Sequence, residues 1–455
     1  MNPLLERQMR RWYPLKAHPE QLRLDRAVED GVRFPVVPAG RRSGKTERAK
    51  RFIARQAMWL PGERYFAAAP TRDQAKKIWW DDLKALTFSA KHPRKPSESE
   101  LIIYLPNVSE IHVLGLDRPE RIEGIEWTGG VIDEIADVKP DSIQANIMPA
   151  LNTVNPLRPS YRAWCWWIGV PDGLNHYYDM AEYARTSGDP DWRLFHWKSS
   201  EILPPDVIAS AQRTMARRQY LQEYEASFET ATGRIYDDYD GSVGGINFTD
   251  RRLRTTDAIH WMHDQNFTPL SSAIAVVDTA PGRDRTADKV YIVDEIVLEA
   301  AISKQSALEF VERFRHHINK VVFIYGDPAG RAGEKHGHAS DYTEIEDVLR
   351  INGWRLERRV RPAAPSIRDR QNAVRAKIRN AANETTLFVN PTRVDGSPSW
   401  AHKGLATVQL QEGSTYQEDQ RNPYQHITTA IGYFIDWFWP AGRSKGGANT
   451  TSGNH

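Results

Sequence analysis

The 455-residue sequence has few of the features that mark secreted or membrane proteins. It contains one cysteine, Cys165, which excludes an intrachain disulfide and a cysteine-based metal site. Mean hydropathy is −0.61, and the longest strongly apolar run, 163–170, is far shorter than the ~20 residues that cross a bilayer. The amino terminus carries charges within its apolar stretch, unlike a secretory signal. We expect a protein of a reducing cytoplasm with no membrane partner.

An excess of charge of one sign is also missing, because the net charge is only +2. Charge is instead concentrated locally, since residues 350–379 hold ten basic side chains against two acids, Glu357 and Asp369. A segment of this kind suits a phosphate backbone, although a solvated helix face has the same composition. The arginines that we predict to bind DNA are Arg358, Arg359, Arg361, Arg368, Arg370 and Arg375.

The order of apolar runs predicts an α/β protein of two or three domains. In the first half, strands alternate with helices, which indicates a mainly parallel sheet with ligands at the carboxyl ends of its strands. Residues 230–254 are rich in Gly, Asp and Tyr and are interpreted as a linker. Consecutive strands after residue 255 indicate an antiparallel meander. We predict domains at 1–229 and 255–440, and a disordered tail at 441–455.

A strand, a glycine-containing loop and a helix follow one another between residues 34 and 59. The loop, Ala39 to Thr46, has the spacing small-x-x-x-x-Gly-Lys-Thr of a phosphate-binding loop. Lys45 is expected to reach the β- and γ-phosphates of ATP, and the Thr46 hydroxyl to bind Mg²⁺. The alternative is an ordinary turn from strand to helix. The predicted ATP contacts in the loop are Gly40, Arg41, Arg42, Ser43, Gly44, Lys45 and Thr46.

A pair of carboxylates follows a second apolar run, residues 129–132. Asp133 is placed to hold Mg²⁺ through water, and Glu134 to orient or deprotonate the attacking water. The alternative is that the pair caps the next helix. Together with the upstream loop, the pair predicts ATP hydrolysis.

Two arginines lie inside the loop, which is unusual for a plain nucleotide switch. Arg41, four residues before Lys45, is our candidate for an arginine finger in cis, and Arg42 is the other possibility. A phosphate or surface contact without a catalytic role is the alternative. Upstream, Gln21 could read the edge of adenine.

The order of these motifs resembles the large terminase subunits of tailed double-stranded DNA bacteriophages, from Pro19 to about Phe438. The resemblance makes Pro171, Gly173 and Asn175 part of a coupling motif that senses the γ-phosphate. The matching segments are HPEQ at 18–21 (Q motif), GRRSGKT at 40–46 (Walker A), AAPTRDQAKKIWW at 68–80 (strand, turn and helix), GLDRPERIEGIEWTGGVIDEIAD at 115–137 (Walker B) and IGVPDGLNHYYD at 168–179 (coupling motif).

The resemblance implies an N-terminal P-loop ATPase that pumps double-stranded DNA into a procapsid. It implies a C-terminal ribonuclease H-like nuclease that cuts concatemeric DNA. The cofactors would be ATP with Mg²⁺, and Mg²⁺ or Mn²⁺ at the nuclease site. The partners would be the portal protein, a small terminase subunit and further copies in a homo-oligomeric ring. The implied location is the host cytoplasm, transiently on the procapsid and not in the mature virion.

Two aspartates match the nuclease part of this family. Asp264 and Asp327 each end an apolar strand, and Asp264 is followed by the predicted open turn 265–269. A two-metal nuclease needs several carboxylates around ions about 3.5–4 Å apart. Aspartates that merely terminate strands are the alternative.

The third nuclease ligand is where the sequence departs from the resemblance. The family helix carries His, two residues, then Asp, and here those positions are His426 and Thr429. His426 is a candidate ligand that suits Mn²⁺ better than Mg²⁺. Other carboxylates could substitute for the missing one, and these are Asp278, Asp294, Glu295, Glu418 and Asp419.

Three other functions stay open from the sequence. A DNA helicase or repair translocase would share the P-loop and the Asp-Glu pair, but should show a second ATPase-like lobe. A packaging ATPase with an impaired nuclease is compatible with Thr429. A metabolic kinase is the weakest of the three, since nothing resembles an acceptor site.

Overall fold

The computed structural model describes residues 10–16, 18–88, 92–152, 161–229, 233–264, 269–282, 285–331, 340–411, 414 and 416–441. The chain forms two compact units. Unit 1 consists of Met1–Ile208 and Leu221–Thr230, and unit 2 of Ala209–Tyr220 and Ala231–His455.

Unit 1 is built on a seven-stranded sheet with the order β3-β4-β2-β5-β6-β1-β7. All neighbouring strands are parallel except β3 and β4. Strands β1 and β6 are buried along their whole length, as expected for a sheet covered on both faces. The strands are β1 (Phe34–Pro38), β2 (Arg64–Ala69), β3 (Ile102–Tyr104), β4 (Glu110–Gly115), β5 (Gly129–Ile132), β6 (Trp164–Gly169) and β7 (Trp192–Leu194).

Helices flank this sheet, and the polypeptide returns through them between parallel strands. The α-helices of this unit are α1 (Pro19–Glu29), α2 (Lys45–Trp59), α3 (Arg72–Ala75), α4 (Asp81–Thr87), α5 (Pro140–Ser142), α6 (Met148–Leu151) and α7 (His176–Thr186). Two further helices, α8 (Pro205–Thr214) and α9 (Arg217–Glu223), are divided between the units, because Ala209–Tyr220 belongs to unit 2. Two π-helical turns, Lys76–Trp80 and Ile143–Ile147, join α3 to α4 and α5 to α6. The carboxyl ends of β1, β5 and β6 share one sheet edge, which is where ligands bind in such folds.

Unit 2 contains a six-stranded sheet with the order β12-β11-β8-β9-β10-β13. The neighbours β8, β9 and β10 are antiparallel, whereas β11 and β12 add in parallel beside β8. The strands are β8 (Ile259–Asp264), β9 (Leu270–Asp278), β10 (Lys289–Leu298), β11 (Val321–Gly326), β12 (Arg355–Arg358) and β13 (Leu387–Val389). The helices are α10 (Ser303–Arg313), α11 (Asp341–Ile351), α12 (Ile367–Ile378), α13 (Trp400–Thr407) and α14 (Gln425–Phe438).

The segment predicted as a linker, 230–254, is corrected in its described part. Ile235, Tyr236 and Tyr239 are buried in the core of unit 2, because their apolar and aromatic side chains pack beneath α12 and α14. The Asn247 side chain is also buried and donates to the Ile378 and Leu387 carbonyl oxygens. The high content of glycine and aspartate therefore led to the prediction of a linker where the chain contributes to the core of unit 2.

Two further expectations on the fold are confirmed. The predicted α/β class, with a mainly parallel first sheet, is confirmed, and β8 to β10 form the predicted meander. Ala441 is buried, whereas the predicted tail from residue 442 and the predicted turn at 265–268 lie outside the described residues. In the part of the chain that is described, no helix is sufficiently long and apolar to cross a bilayer.

Candidate functional site

The loop between β1 and α2 has the geometry of a phosphate cradle. Gly44 adopts φ +85°, a left-handed conformation that glycine tolerates without strain, and α2 begins at the next residue. Lys45 is buried, and its Nζ donates to the Ala39 carbonyl oxygen at 3.3 Å, across the loop. A cation therefore lies beside backbone N–H groups at the start of a helix, an arrangement that attracts phosphate.

Two side chains from elsewhere in unit 1 hold the loop in place. The Trp197 Nε1 donates to the Ser43 Oγ at 2.9 Å, and Ser43 is completely buried. Gln21, in α1, donates its Nε2 to the Ser43 carbonyl oxygen at 2.9 Å. The residue predicted to read adenine thus contacts the loop itself.

The first part of the loop packs tightly against the segment after β7 and the end of α9. A Cβ added to Gly40 would lie 2.3 Å from Ser199 Oγ and 2.6 Å from the Tyr224 carbonyl oxygen. The Arg41 guanidinium forms an ion pair with Glu223, and the Arg41 N–H donates to the Glu223 carbonyl oxygen at 2.6 Å. Arg41 is therefore held by Glu223 in this structure.

Arg42 is the other cation of the loop. Its side chain is exposed, and its backbone adopts φ 57°.

Walker A and the Asp-Glu pair meet at the sheet edge. The Thr46 Oγ1 donates to Asp133 Oδ2 at 2.7 Å, and β5 ends one residue before Asp133. Burial, together with the neighbouring Glu134, raises the pKa of Asp133. Glu134 is half-buried and has φ 56°, a backbone conformation costly for a residue with a Cβ, which is typical of functional sites. The Thr46 hydroxyl and the Asp133 carboxylate are hard oxygen donors, which are the ligands that Mg²⁺ prefers.

The predicted coupling segment lies directly against the residues after Glu134. Asn175 caps α7 through the Tyr177 N–H and donates its Nδ2 to the Ala136 carbonyl oxygen at 3.3 Å. His176 Nε2 lies 3.0 Å from the Ile135 carbonyl oxygen. The residues that follow β5 are therefore in direct contact with the start of α7.

The two other residues of that motif shape its backbone. Pro171 is buried, and Gly173 adopts φ +65°.

In unit 2, the two predicted nuclease aspartates are neighbours. Gly326 pairs with His263 on the parallel strands β11 and β8, so Asp327 and Asp264 follow side by side at the same sheet edge. Ser271, the cross-strand partner of Asp264, is buried, and its Oγ has no hydrogen-bond partner among the described residues. A buried hydroxyl of this kind beside a carboxylate fits a bound ion or its water.

Helix α14 supplies a side chain to each aspartate. His426 Nδ1 lies 2.8 Å from Asp264 Oδ2, and Tyr433, two turns later, forms a hydrogen bond with Asp327. Burial raises the pKa of the Tyr433 hydroxyl, and Asp327 adds to this effect.

Thr429 lies between His426 and Tyr433 on this helix. Its Oγ1 donates to Glu418 Oε2 at 3.2 Å and accepts from Arg370 Nη2 at 3.2 Å. Within the described ranges, no set of three or more acidic, histidine or cysteine side chains is arranged to hold a metal ion. The structure therefore places Asp264 beside Asp327 and His426 against Asp264, and Thr429 supplies no carboxylate to them.

No protein-family model matches the chain. The large terminase subunit of Escherichia phage T5 is 25% identical over 229 residues, which is 48% of this chain and 49% of the relative. That of Thermus phage G20c is 25% identical over 262 residues, 50% of this chain and 51% of the relative. The chain spans about half the length of the curated relatives it matches.

Solved structures show the same similarity in fold over nearly the whole chain. The large terminase of the thermophilic bacteriophage D6E has a TM-score of 0.55 at 16% identity, covering 93% of this chain and 99% of that chain. Its complex with ADP has a TM-score of 0.53 at 17% identity, covering 92% and 99%. The chain resembles a phage large terminase subunit. The resemblance inferred from the motifs is thereby confirmed.

Two acids considered as substitutes for the missing terminase aspartate have structural partners instead. Glu295 accepts hydrogen bonds from the Trp400 and Ala401 N–H groups, so it caps α13. Asp294 forms an ion pair with Arg313 at 3.3 Å. Both lie on β10, which is separated from β8 by β9.

Two more of the five acids named as possible substitutes form ion pairs with arginines. Asp278 pairs with Arg251 at 2.6 Å, and Asp419 pairs with Arg421 at 2.8 Å. Of the five acids named as substitutes, Glu418 is the one that hydrogen-bonds Thr429.

The arginines predicted to bind DNA do not form one uniform surface. Arg370 is 7% exposed and bonded to Glu418 and Thr429, which corrects its assignment to a DNA surface. Arg375 is half-buried, and its Nε donates to the Ile235 carbonyl oxygen at 2.6 Å.

The other four of these arginines are partly exposed. Arg358 pairs with Glu346 at 2.9 Å, and Arg359 with Glu357 at 2.8 Å.

Arg361 pairs with Asp436 at 2.9 Å, and the Arg368 guanidinium lies 5.7 Å from the centre of the Tyr416 ring. Arg359 pairs with an exposed carboxylate, and such surface pairs are weak, whereas the carboxylate partners of Arg358 and Arg361 are buried.

Several site residues were missed from the sequence. Trp197 and Glu223 lie more than 150 residues after the loop that they contact, so no local pattern connects them. Tyr433 is absent from the predicted sites, although its spacing of seven from His426 places both on one helix face. That spacing was the available signal.

Proposed function

We propose that this chain is a viral DNA-packaging motor, in which ATP hydrolysis drives double-stranded DNA into a procapsid and a metal-dependent endonuclease cuts concatemeric DNA. The observation that carries the proposal is the contact of Thr46 with Asp133, which joins the phosphate-binding loop to the Asp-Glu pair. The fold shared with D6E large terminase, one structure of which is a complex with ADP, supports it.

In unit 1, the proposed reaction needs four side chains with distinct tasks. Lys45 would neutralise charge on the β- and γ-phosphates, and Glu134 would orient and deprotonate the attacking water. Thr46 and Asp133 would hold Mg²⁺, which supplies further positive charge to the phosphates when it is bound. Arg41 would have to leave Glu223 to reach the γ-phosphate as a finger, and Arg42 stays the alternative.

Movement would start at the end of β5. Loss of the γ-phosphate changes the charge near Glu134, and the following residues contact Asn175 and His176. The α7 helix begins at His176, so a shift there displaces a whole helix. This is how the coupling segment would turn hydrolysis into motion.

In unit 2, Asp264 and Asp327 would hold Mg²⁺ or Mn²⁺, with His426 positioned against Asp264. The ion would activate water and stabilise charge on the scissile phosphate when it is bound. The arginines Arg358, Arg359, Arg361 and Arg368 would hold the DNA backbone. Contacts of this kind position DNA without reading its bases.

The assembly follows from the terminase resemblance. We propose a homo-oligomeric ring on the portal protein, a small terminase subunit that selects the start site, and activity in the host cytoplasm with transient binding to the procapsid. A domain limit near residue 229 belongs to the same proposal, with 209–220 joining unit 2.

The ATPase half is tested by substitution of the loop lysine. Lys45→Ala should abolish ATP hydrolysis while the thermal unfolding curve keeps its shape. Lys16→Ala, which removes an exposed lysine bonded to the Glu201 carbonyl oxygen, is the matched control and should keep the rate. Full hydrolysis by Lys45→Ala would overturn the motor proposal.

The nuclease half is tested by cleavage of supercoiled plasmid. The full chain should cut in Mn²⁺ or Mg²⁺, and Asp264→Asn should abolish cutting. The alternative of a packaging ATPase with an impaired nuclease is favoured by Thr429, and it predicts no cleavage with either metal. A helicase predicts ATP-driven strand separation without cleavage.

A further inference from the structure

An arginine side chain is built into the nuclease site of unit 2. Arg370, from α12, is 7% exposed, and its Nη2 donates to Thr429 Oγ1 at 3.2 Å and to Glu418 Oε1 at 3.4 Å. Its guanidinium carbon lies 5.0 Å from the centre of the Tyr433 ring. The guanidinium is therefore held from three sides by residues that line the site.

Helix α14 makes room for this arginine. A Cβ on Gly432 would lie 2.5 Å from Arg370 Cγ and 2.7 Å from its Cδ, distances that real side chains do not tolerate. Glycine inside a helix is less stable than alanine. The helix thus accepts a less stable residue at the one place where the arginine stem crosses it.

The guanidinium stands where the missing carboxylate would be. His426, Thr429 and Tyr433 lie on one face of α14, and the outer two contact Asp264 and Asp327. At the middle position, the Thr429 hydroxyl accepts a hydrogen bond from Arg370 and donates one to Glu418. Where the resemblance expects a negative ligand, the site holds a positive group.

The charges of the site fit one divalent ion. Asp264, Asp327 and Glu418 are three carboxylates, and Arg370 neutralises one of them, which leaves two negative charges. Burial disfavours the charged guanidinium, but Glu418, and more weakly Asp264, raise the pKa of Arg370 above its ordinary value. A second divalent ion would face this fixed positive charge at close range without a third free carboxylate.

We propose that Arg370 is a resident cation that replaces the second metal ion, so the nuclease site of this chain binds a single Mn²⁺ or Mg²⁺. Thr429 and Gly432 act as positioning residues for it, and Glu418 is its counter-ion. This inference rests on the proposed nuclease function. It accounts for both the Thr429 substitution and the glycine in α14.

The test is the number of Mn²⁺ ions bound per chain, measured by electron paramagnetic resonance of free Mn²⁺ without nucleotide. The relevant number is the difference between the full chain and Asp264→Asn/Asp327→Asn. We expect a difference of one. A difference of two would overturn the role of Arg370 while leaving the nuclease intact. A difference of zero would overturn the proposed metal-dependent nuclease itself, and this inference with it.

A gain of binding tests the same idea in the opposite direction. Arg370→Met/Thr429→Asp removes the guanidinium and restores a carboxylate, and it should bind one additional Mn²⁺. Arg375→Met, on the same helix with its Nε bonded to a backbone carbonyl, is the control and should not. An unchanged count in a folded double variant would contradict the proposal. If that variant does not fold, the count for the full chain still decides.

Discussion

The tight packing of Gly40 allows one consequence to be worked out in numbers. In Gly40→Ala the new Cβ would meet Ser199 Oγ at 2.3 Å, Ser199 N at 2.5 Å and the Tyr224 carbonyl oxygen at 2.6 Å. The last two atoms form a hydrogen bond of 2.7 Å with each other. Overpacking costs about 1–3 kcal/mol, and breaking a buried hydrogen bond adds about 1–3 kcal/mol. We expect a loss of roughly 2–6 kcal/mol in the free energy of unfolding of unit 1.

Two measurements distinguish how the molecule relieves this clash. Thermal unfolding should show a Tm lower by roughly 4–24 °C if the packing is kept under strain. If the loop moves away instead, the Tm falls less and the Kd for ATP rises by at least about tenfold, since 1.4 kcal/mol corresponds to that factor. Gly169→Ala is the control, because its Cβ would meet nothing closer than 3.4 Å. Unchanged Tm and unchanged Kd in Gly40→Ala would refute the packing described here.

Four further predictions concern single contacts. Trp197→Phe removes the donor to Ser43 Oγ, and it should lower the unfolding free energy by about 1–3 kcal/mol and weaken ATP binding in a fluorescence titration. Glu223→Gln weakens the pair with Arg41 by up to about 1 kcal/mol, so ATP hydrolysis should rise by up to about fivefold; a slower rate would contradict a restrained finger. Thr429→Asp alone should not raise Mg²⁺-dependent plasmid cutting above that of the unchanged chain, because Arg370 would pair with the new carboxylate, and faster cutting would contradict this role of Arg370. Glu295→Gln should lower the free energy of unfolding by about 1.5–3 kcal/mol, because the α13 cap is weakened. The number of Mn²⁺ ions bound per chain should not change, and a smaller number would mean that Glu295 is a metal ligand.

Strand positions followed closely from the apolar runs. The runs at 129–132 and 163–170 became β5 and β6 with ends shifted by at most one residue. Buried parallel strands are read well from composition because both faces are apolar. The 233–254 segment failed the same reading, since its buried tyrosines are spaced irregularly among turn residues.

The candidate sites divide in the same way. Lys45, Thr46, Asp133 and Glu134 were predictable because each lies at a fixed place relative to a strand end. The partner of Arg41 was not, because Glu223 lies 182 residues further along the chain and approaches only in the folded state. Likewise, a basic run cannot show which of its arginines is buried. Arg370 points inward because it packs against Gly432 and bonds to Thr429, and both contacts form only in the folded chain. Long-range packing therefore decides what local pattern leaves open.

The central claim, an ATP-driven DNA motor, is tested most directly by steady-state ATP hydrolysis with and without linear double-stranded DNA. The account predicts that DNA raises the turnover of the full chain and that Lys45→Ala shows no turnover in either condition. Hydrolysis that is indifferent to DNA, or that persists in Lys45→Ala, would contradict it.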